Sequence, residues 1–356
     1  VVSVPVIGVG RMNDPALMLS ALRTGAMDFV ALGRESVCDP HLPEKIKEGR
    51  LDEILTCTGC MQRCLYPNSF EEGFGISCMI NPFSGKEHIW EITPAEKKKK
   101  IAVVGAGPVG LQAAWILAKR GHEVKVYEKE ITAGGQYRLA AVPAMKQELA
   151  KTISTYLTFC KKYGAEVIYG VKATKEMLEQ EGFDEIILAC GAQPLVPRIP
   201  GIDGENIYLA NQVLSFDVRL SGQKILVLGA GLVGAEAAEV LSTYGNKVTV
   251  VDMLDKAAPL APLRPRENLL SRLDKAGVGF CLNSRVCEIR PDGIRYDQNG
   301  ETKEMTGFDS IVLAFGSRSD KALETEYEGD HRIHSVGDCL TAGDAKKGIY
   351  EATKLA

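Results

Sequence analysis

The sequence has no apolar run long enough to span a membrane. Stretches such as Ile186-Ile187-Leu188-Ala189 are strand-sized, whereas a bilayer crossing takes about 20 residues. No membrane association is therefore expected. A basic excess is missing as well: 42 Lys and Arg stand against 46 Asp and Glu, for a net charge of −4. Without a cationic face there is no electrostatic case for a nucleic-acid partner. The N-terminus, VVSVPVIGVG, has neither an initiating Met nor the basic start of a signal peptide and opens directly on a buried-strand pattern, which reads as a cut chain. No Ser-His-Asp or nucleophile-elbow pattern occurs. With 45% hydrophobic and 25% charged residues over 356 positions, the chain is an ordinary globular one with material for two or three domains.

The first stretch alternates strand (Val4 to Gly10), helix (Asp14 to Gly25), strand (Asp28 to Gly33) and a short helix at Pro43 to Glu48. A charged linker, Thr93 to Lys100, follows. From Ile101 the pattern becomes strand, glycine-rich turn, apolar helix (Leu111 to Arg120) and strand (Glu123 to Tyr127), one βαβ unit. The strand at Lys224 to Gly229, the helix at Ala235 to Tyr244 and the strand at Lys247 to Val251 repeat it with the same internal spacing.

Gly105-Ala-Gly107-Pro108-Val-Gly110 sits at the first turn. Its first glycine permits the tight bend, the second lets backbone approach a pyrophosphate, and the third allows close helix–strand packing. Glu128, closing the next strand, is placed to hold a ribose hydroxyl. One such motif also serves as a plain connection. Here it recurs as Gly229-Ala-Gly231-Leu-Val-Gly234, with Asp252 as far beyond Gly229 as Glu128 is beyond Gly105. Two dinucleotide sites are expected. Asp252 favours NADH over NADPH, because a carboxylate repels a 2′-phosphate; Lys256, Arg264 and Arg266 could still reach one, or be plain surface loop.

Ten cysteines in a chain without a secretory signal point to metal or redox chemistry in a cytoplasmic setting rather than to disulfides. Cys57, Cys60 and Cys64, followed by Cys78, suit a 4Fe-4S cluster better than paired zinc knuckles, with structural zinc and a thiol redox pair as the alternatives. Cys160, Cys281 and Cys287 lack partners at ligand spacing and read as small buried hydrophobes. Cys38 reads as packing, Cys190 as a structural substitution with no neighbouring Cys, and His331 and His334 as an exposed turn.

The order of barrel strand, cysteine cluster, first and second glycine motif resembles the 2,4-dienoyl-CoA reductase and enoate reductase family, relatives of old yellow enzyme that include trimethylamine dehydrogenase. The likeness covers essentially the whole chain and extends to Gly134-Gly135-Gln136, Cys78-Met-Ile-Asn81-Pro82, Ile186 to Pro194 and Ser335 to Cys339. It implies an α/β protein with the remnant of a (β/α)8 barrel at residues 1–50. A cluster segment at 51–97 follows, then an FAD domain at 98–208 plus 308–356, interrupted by a nicotinamide domain at 209–307.

By the same resemblance, Gly105, Gly107, Pro108, Gly110, Glu128, Lys129, Gly135, Gln136, Gly191, Gly337 and Asp338 bind FAD. Gly229, Gly231, Gly234, Asp252 and Gly316 bind NADH. Gly10, Arg11, Gly33 and Arg34 grip the FMN phosphate at the ends of the last two barrel strands, where barrels commonly bind phosphate; taken without the family, Arg34 is equally a surface residue. The resemblance implies electrons passing from NADH through FAD and the cluster to FMN, which reduces the activated C=C bond of a small enoate or enoyl-CoA. Most of that catalytic barrel, and with it the catalytic residues, lies outside this sequence. An amine dehydrogenase, or a nucleotide-binding electron-transfer module with structural zinc, is the alternative. Oligomeric state is left open.

Overall fold

The computed structural model describes residues 2–65 and 75–356. Among these, no helix is long and apolar enough to cross a membrane. The chain divides into two compact units: residues 1–138, 148–191 and 319–356 form one, and residues 139–147 with 192–318 form the other.

The first unit begins with a βαβ turn. Strands Ile7–Val9 and Phe29–Ala31 pair in parallel, Ile7 opposite Phe29, and helix Pro15–Arg23 connects them. Asp14 caps that helix, its carboxylate accepting the amides of Ala16 and Leu17, which supplies partners for amides a helix start leaves open. The small sheet leaves Ile7, Val9 and Phe29 more than half exposed. Helix Leu42–Lys47 follows as expected. The additional helix Arg34–Cys38 was not anticipated, because five residues are too few for a periodicity to register.

The main sheet of this unit has five parallel strands in the order Ile333–Ser335, Glu185–Leu188, Lys100–Val104, Glu123–Glu128, Glu166–Tyr169. Its central strand, KIAVV, is buried after the first residue, as a parallel strand covered on both faces requires. Helix Pro108–Lys119 is buried nearly all round, and its two buried polar side chains are satisfied. Gln112 donates to Thr353 at 2.9 Å, and the Trp115 indole donates to Gln112 at 2.9 Å.

The N-terminal segment packs into this unit rather than standing apart from it. Thr155 and Tyr156, on helix Glu148–Tyr163, donate to the carbonyls of Ile54 (2.9 Å) and Ile80 (2.7 Å), while Lys162 pairs with Glu53 at 2.6 Å.

The second unit repeats the plan. Five parallel strands run in the order Gly279–Cys281, Lys247–Val251, Lys224–Leu228, Ser310–Leu313, Ile207–Leu209. Helices cover one face, burying Ile225, Val227, Ala237, Leu241 and Val250. An antiparallel ladder of Ser284–Arg290, Gly293–Gln298 and Glu301–Met305 covers the other, burying Leu226, Leu228, Ile289, Tyr296 and Ile311.

The boundaries between units fall at 191/192 and 318/319, not at the expected 208/209 and 307/308. The central strand Lys224–Leu228 has an edge to satisfy, and the fully buried SIVL strand at 310–313 hydrogen-bonds to it and in turn to Ile207–Leu209. Residues 192–208 and 308–318 therefore fold with the second sheet. Residues 139–147 join them, and Lys146 pairs with the buried Glu236.

Candidate functional site

The two glycine turns have the same construction. In the first, the amide of Gly105 donates to Tyr127 O at 2.8 Å, and Glu128 accepts the Ala106 amide at 2.8 Å and the Glu130 amide at 2.9 Å. In the second, Gly229 donates to Val251 O at 2.8 Å, and Asp252 accepts the amides of Ala230 (2.5 Å) and Leu254 (2.8 Å). Each carboxylate thus clamps the middle of its turn from the tip of the neighbouring strand.

The roles of the glycines separate cleanly. A Cβ on Gly105 (φ +108°) would lie 2.4 Å from Ala189 O, and one on Gly110 only 1.9 Å from Gly105 O. The corresponding distances are 2.3 Å for Gly229 to Ala314 O and 1.9 Å for Gly234 to Gly229 O. The middle glycines, Gly107 and Gly231, would meet nothing within 4 Å. Close packing fixes the outer two, while open space over each helix N-terminus at the middle one suits a pyrophosphate.

Around the first turn the fold gathers other expected residues. The Gly134 amide donates to Ala106 O at 2.8 Å, and a Cβ on Gly135 would come within 3.9 Å of the Gly107 Cα, so the Gly135-Gln136 loop lies beside the open glycine. Gly337 packs on Val109, one residue into the helix. This brings Asp338 to the helix start; its carboxylate accepts the Gly343 amide at 3.0 Å, and burial pushes its pKa up. Gly191 follows the neighbouring strand with φ +78° and an unfilled Cβ direction. Lys129 is exposed beside Glu128.

At the second turn, Gly316 (φ +98°) likewise faces open space. Arg266 spends its Nε on Ala257 O at 2.7 Å.

Gly10, Arg11, Gly33 and Arg34 line a cavity of about 320 Å3, including its open mouth. Gly10 (φ +115°) and Arg11 (φ +49°) both adopt left-handed backbone here, a strain that functional sites commonly carry. Arg11 pairs with Glu148. Arg34 Nη1 is buried without a hydrogen-bond partner among the described residues. An unpaired buried guanidinium nitrogen is costly, and a phosphate oxygen is the acceptor that suits it.

Sequence reasoning missed Glu35, which lines the same cavity and accepts the Cys57 amide at 2.8 Å. Burial pushes its carboxyl up to about 7. It joins this cavity to the cysteine segment.

The four expected cysteine ligands lie in one another's electrostatic neighbourhood. Burial raises the thiols of Cys57, Cys60 (to about 12) and Cys64, and each also feels Cys78. Cys78 is the exception. The neighbouring Cys38 thiol and the amides of Met79, Ile80 and Asn81 draw its pKa down against the opposing effect of burial. Arg63 donates to Ser77 at 3.0 Å, which ties the residues flanking Cys64 and Cys78 together.

Cys38 is therefore not mere packing, and its signal was tertiary: it is buried, donates to Leu55 O at 3.0 Å and meets Cys78 across forty residues of chain. Beside the thiols, the hydroxyls of Tyr137 and Thr152 are buried next to each other, and Tyr137 lies within the field of Cys60, Cys78 and Cys38. An all-sulfur donor set, one member of which has its pKa drawn down, with buried hydroxyls beside it, fits an iron–sulfur cluster chemically. No three His, Cys, Asp or Glu side chains among the described residues stand at metal-ligating spacing.

Three further readings change. His334 lies in strand Ile333–Ser335, not in a turn, and bonds Glu185 at 2.8 Å. Cys287 is exposed. Cys190 does have a neighbouring thiol, that of Cys339. Cys160 is buried as expected.

Residues 99–335 match the family model described as pyridine nucleotide-disulphide oxidoreductase, and residues 1–53 match that of the NADH:flavin oxidoreductase / NADH oxidase family. An NADH oxidase of Thermoanaerobacter brockii is 34% identical over 96% of this chain and 55% of its own. A cinnamate reductase of Clostridium sporogenes is 33% identical over 100% of this chain and 53% of its own. Among solved structures, a 2-naphthoyl-CoA reductase in complex with 2-naphthoyl-CoA superposes with a TM-score of 0.92 at 30% identity, over 99% of this chain and 54% of its own. Amine-oxidising proteins are also similar. The chain spans about half the length of the curated relatives it matches.

Proposed function

This chain belongs to the pyridine nucleotide-disulphide oxidoreductase family, joined to the end of an NADH:flavin oxidoreductase domain, and from that membership we propose that it is the NADH-oxidising half of a flavin and iron–sulfur reductase. The observation that carries the reading is the duplicated turn, two glycine loops each clamped by a strand-end carboxylate and each open at its middle glycine. Two dinucleotides in one chain suit hydride transfer from one to the other.

In this reading the first turn, with Glu128, Gly135, Gln136, Gly191, Gly337 and Asp338, holds FAD, and the second, with Asp252 and Gly316, holds NADH. Cys57, Cys60, Cys64 and Cys78 hold a 4Fe-4S cluster, and Arg34 with Gly10, Arg11 and Gly33 holds the phosphate of FMN. When bound, these groups supply two-electron uptake from NADH, one-electron passage between flavins, and hydride delivery to an activated C=C bond of an enoate or enoyl-CoA.

The protein's own contributions are electrostatic and steric. The helix N-termini after Gly107 and Gly231 attract pyrophosphate charge. Asp252 binds a free ribose hydroxyl and disfavours a 2′-phosphate. The Cys38 thiol and the amides around Cys78 lower its pKa, which eases the deprotonation that ligation requires. The exposed apolar residues Ile7, Val9 and Phe29 would be covered by further barrel strands in the whole protein.

Cofactor analysis of anaerobically purified protein tests this reading. FAD, together with about four iron and four sulfide per chain, supports it. Bound ADP in place of FAD would support amine oxidation instead, and stoichiometric zinc without sulfide would leave a nucleotide-binding module.

A further inference from the structure

Strands Glu185–Leu188 and Ile333–Ser335 lie side by side in parallel, with Leu188 level with Ser335; neighbouring strands run about 4.8 Å apart. Beyond the last pair, one strand continues into Ala189-Cys190. The other enters a tight turn at Gly337–Cys339, where Gly337 takes φ +66° and Leu340 donates to Gly337 O at 2.9 Å. The turn folds Cys339 back onto the end of the first strand.

A relay of hydrogen bonds results. Cys190 donates to the Cys339 sulfur. Cys339 donates to Asp320 O at 3.3 Å, and the Asp320 amide donates to Gly191 O at 3.1 Å. Cys339 is fully buried, Cys190 is part exposed, and both pack in the core formed by Ala102, Val104, Leu188 and Tyr327. Neither belongs to the Cys57–Cys78 group.

We propose that Cys190 and Cys339 are an oxidisable dithiol, converted by a hydroperoxide to a disulfide and restored by a thiol reductant. One sulfur, as thiolate, attacks the O–O bond; an S–O bond forms, and water or an alcohol leaves with a proton. The second thiol then attacks the sulfenic sulfur, forming the S–S bond and expelling water. Two electrons and two protons leave the pair, and the peroxide takes up both.

Two features favour the reaction. The neighbouring Cys190 thiol draws the Cys339 pKa down, which eases formation of the attacking thiolate, and the part-exposed partner opens the route from solvent. The consequence is local. Cys190 Cα is 3.5 Å from where a Cβ on Gly105 would stand, and Asp338 precedes Cys339, so the bridge would tie together two segments of the first nucleotide site. The inference is independent of the electron route.

The test is peptide mapping of the reduced chain before and after hydrogen peroxide, with acid quench, alkylation under denaturation and digestion without reductant. A Cys190–Cys339 cross-linked peptide that appears with peroxide, disappears with dithiothreitol and is absent from Cys190→Ser is the expected result. Recovery of both cysteines as alkylated thiols after peroxide, or linkage of either to a different cysteine, would overturn the proposal. Because the measurement is made on the unaltered chain, poor folding of a variant does not affect it.

Discussion

Replacing Gly107 and Gly110 separately by Ala distinguishes a glycine needed for the cofactor from one needed for the fold. At Gly110 the new Cβ would stand 1.9 Å from Gly105 O, where real Cβ atoms keep at least 3.0 Å. Helix and turn must separate by about an ångström. Overpacking of this kind costs about 1–3 kcal/mol, partly offset by up to ~1 kcal/mol of helix propensity. For a unit of this size each kcal/mol is worth about 2–4 °C, so a net cost of up to about 3 kcal/mol should lower the melting point of the flavin-free Gly110→Ala protein by up to about 12 °C. At Gly107 the Cβ meets nothing within 4 Å and the backbone, φ −72° and ψ 175°, suits Ala. The flavin-free melting point should barely move, while the methyl would fill the space proposed for the pyrophosphate. FAD affinity should fall at least about tenfold, equivalent to ~1.4 kcal/mol. Differential scanning fluorimetry of the apoprotein and fluorescence titration with FAD measure the two effects. Unchanged FAD affinity in Gly107→Ala, or an unchanged melting point in Gly110→Ala, would refute the division of labour; Gly231 and Gly234 should divide the same way toward NADH.

Asp252→Asn should raise the NADPH-to-NADH ratio of kcat/KM in a dye-reduction assay, because it removes the charge facing a 2′-phosphate and retains an oxygen for the Ala230 amide; an unchanged ratio would count against Asp252 as the discriminator. Tyr137→Phe removes a buried hydroxyl beside the thiols and should shift the proposed cluster to lower reduction potential in an EPR-monitored titration, iron content unchanged, since donors near cluster sulfur raise the potential. Burial raises the Glu236 carboxyl against the opposing pull of Lys146. Its stabilising contribution is therefore complete below the ordinary Glu pKa and is lost as pH rises through the elevated one. Glu236→Gln should flatten that decline in urea unfolding measured from pH 4 to 8, and identical slopes would contradict it.

Much of this was legible in the sequence because local rules decide it. A glycine motif between an apolar strand and an apolar helix has few alternatives, and its duplication makes both turns and the acidic residues Glu128 and Asp252 beyond them readable, but not that these carboxylates accept the amides of their own turns. What escaped was tertiary. Nothing local tells which sheet SIVL at 310–313 joins, because a fully buried strand fits the centre of either. Cys38 and Cys78, or Cys190 and Cys339, are far apart in sequence and meet only through the strand order and the packing. Glu35 is an ordinary acidic residue until burial isolates one of its oxygens. The cysteine spacing suggested a ligand set, and the structure brings the four thiols into one neighbourhood without ligating geometry.

The measurement closest to the central claim is an anaerobic spectral titration of the purified chain with NADH. The account predicts that NADH bleaches the flavin bands and then the broad cluster absorption, in a protein holding about four iron per chain, with NADPH much less effective. A spectrum that NADH leaves unchanged, in protein that retains its flavin, would contradict it.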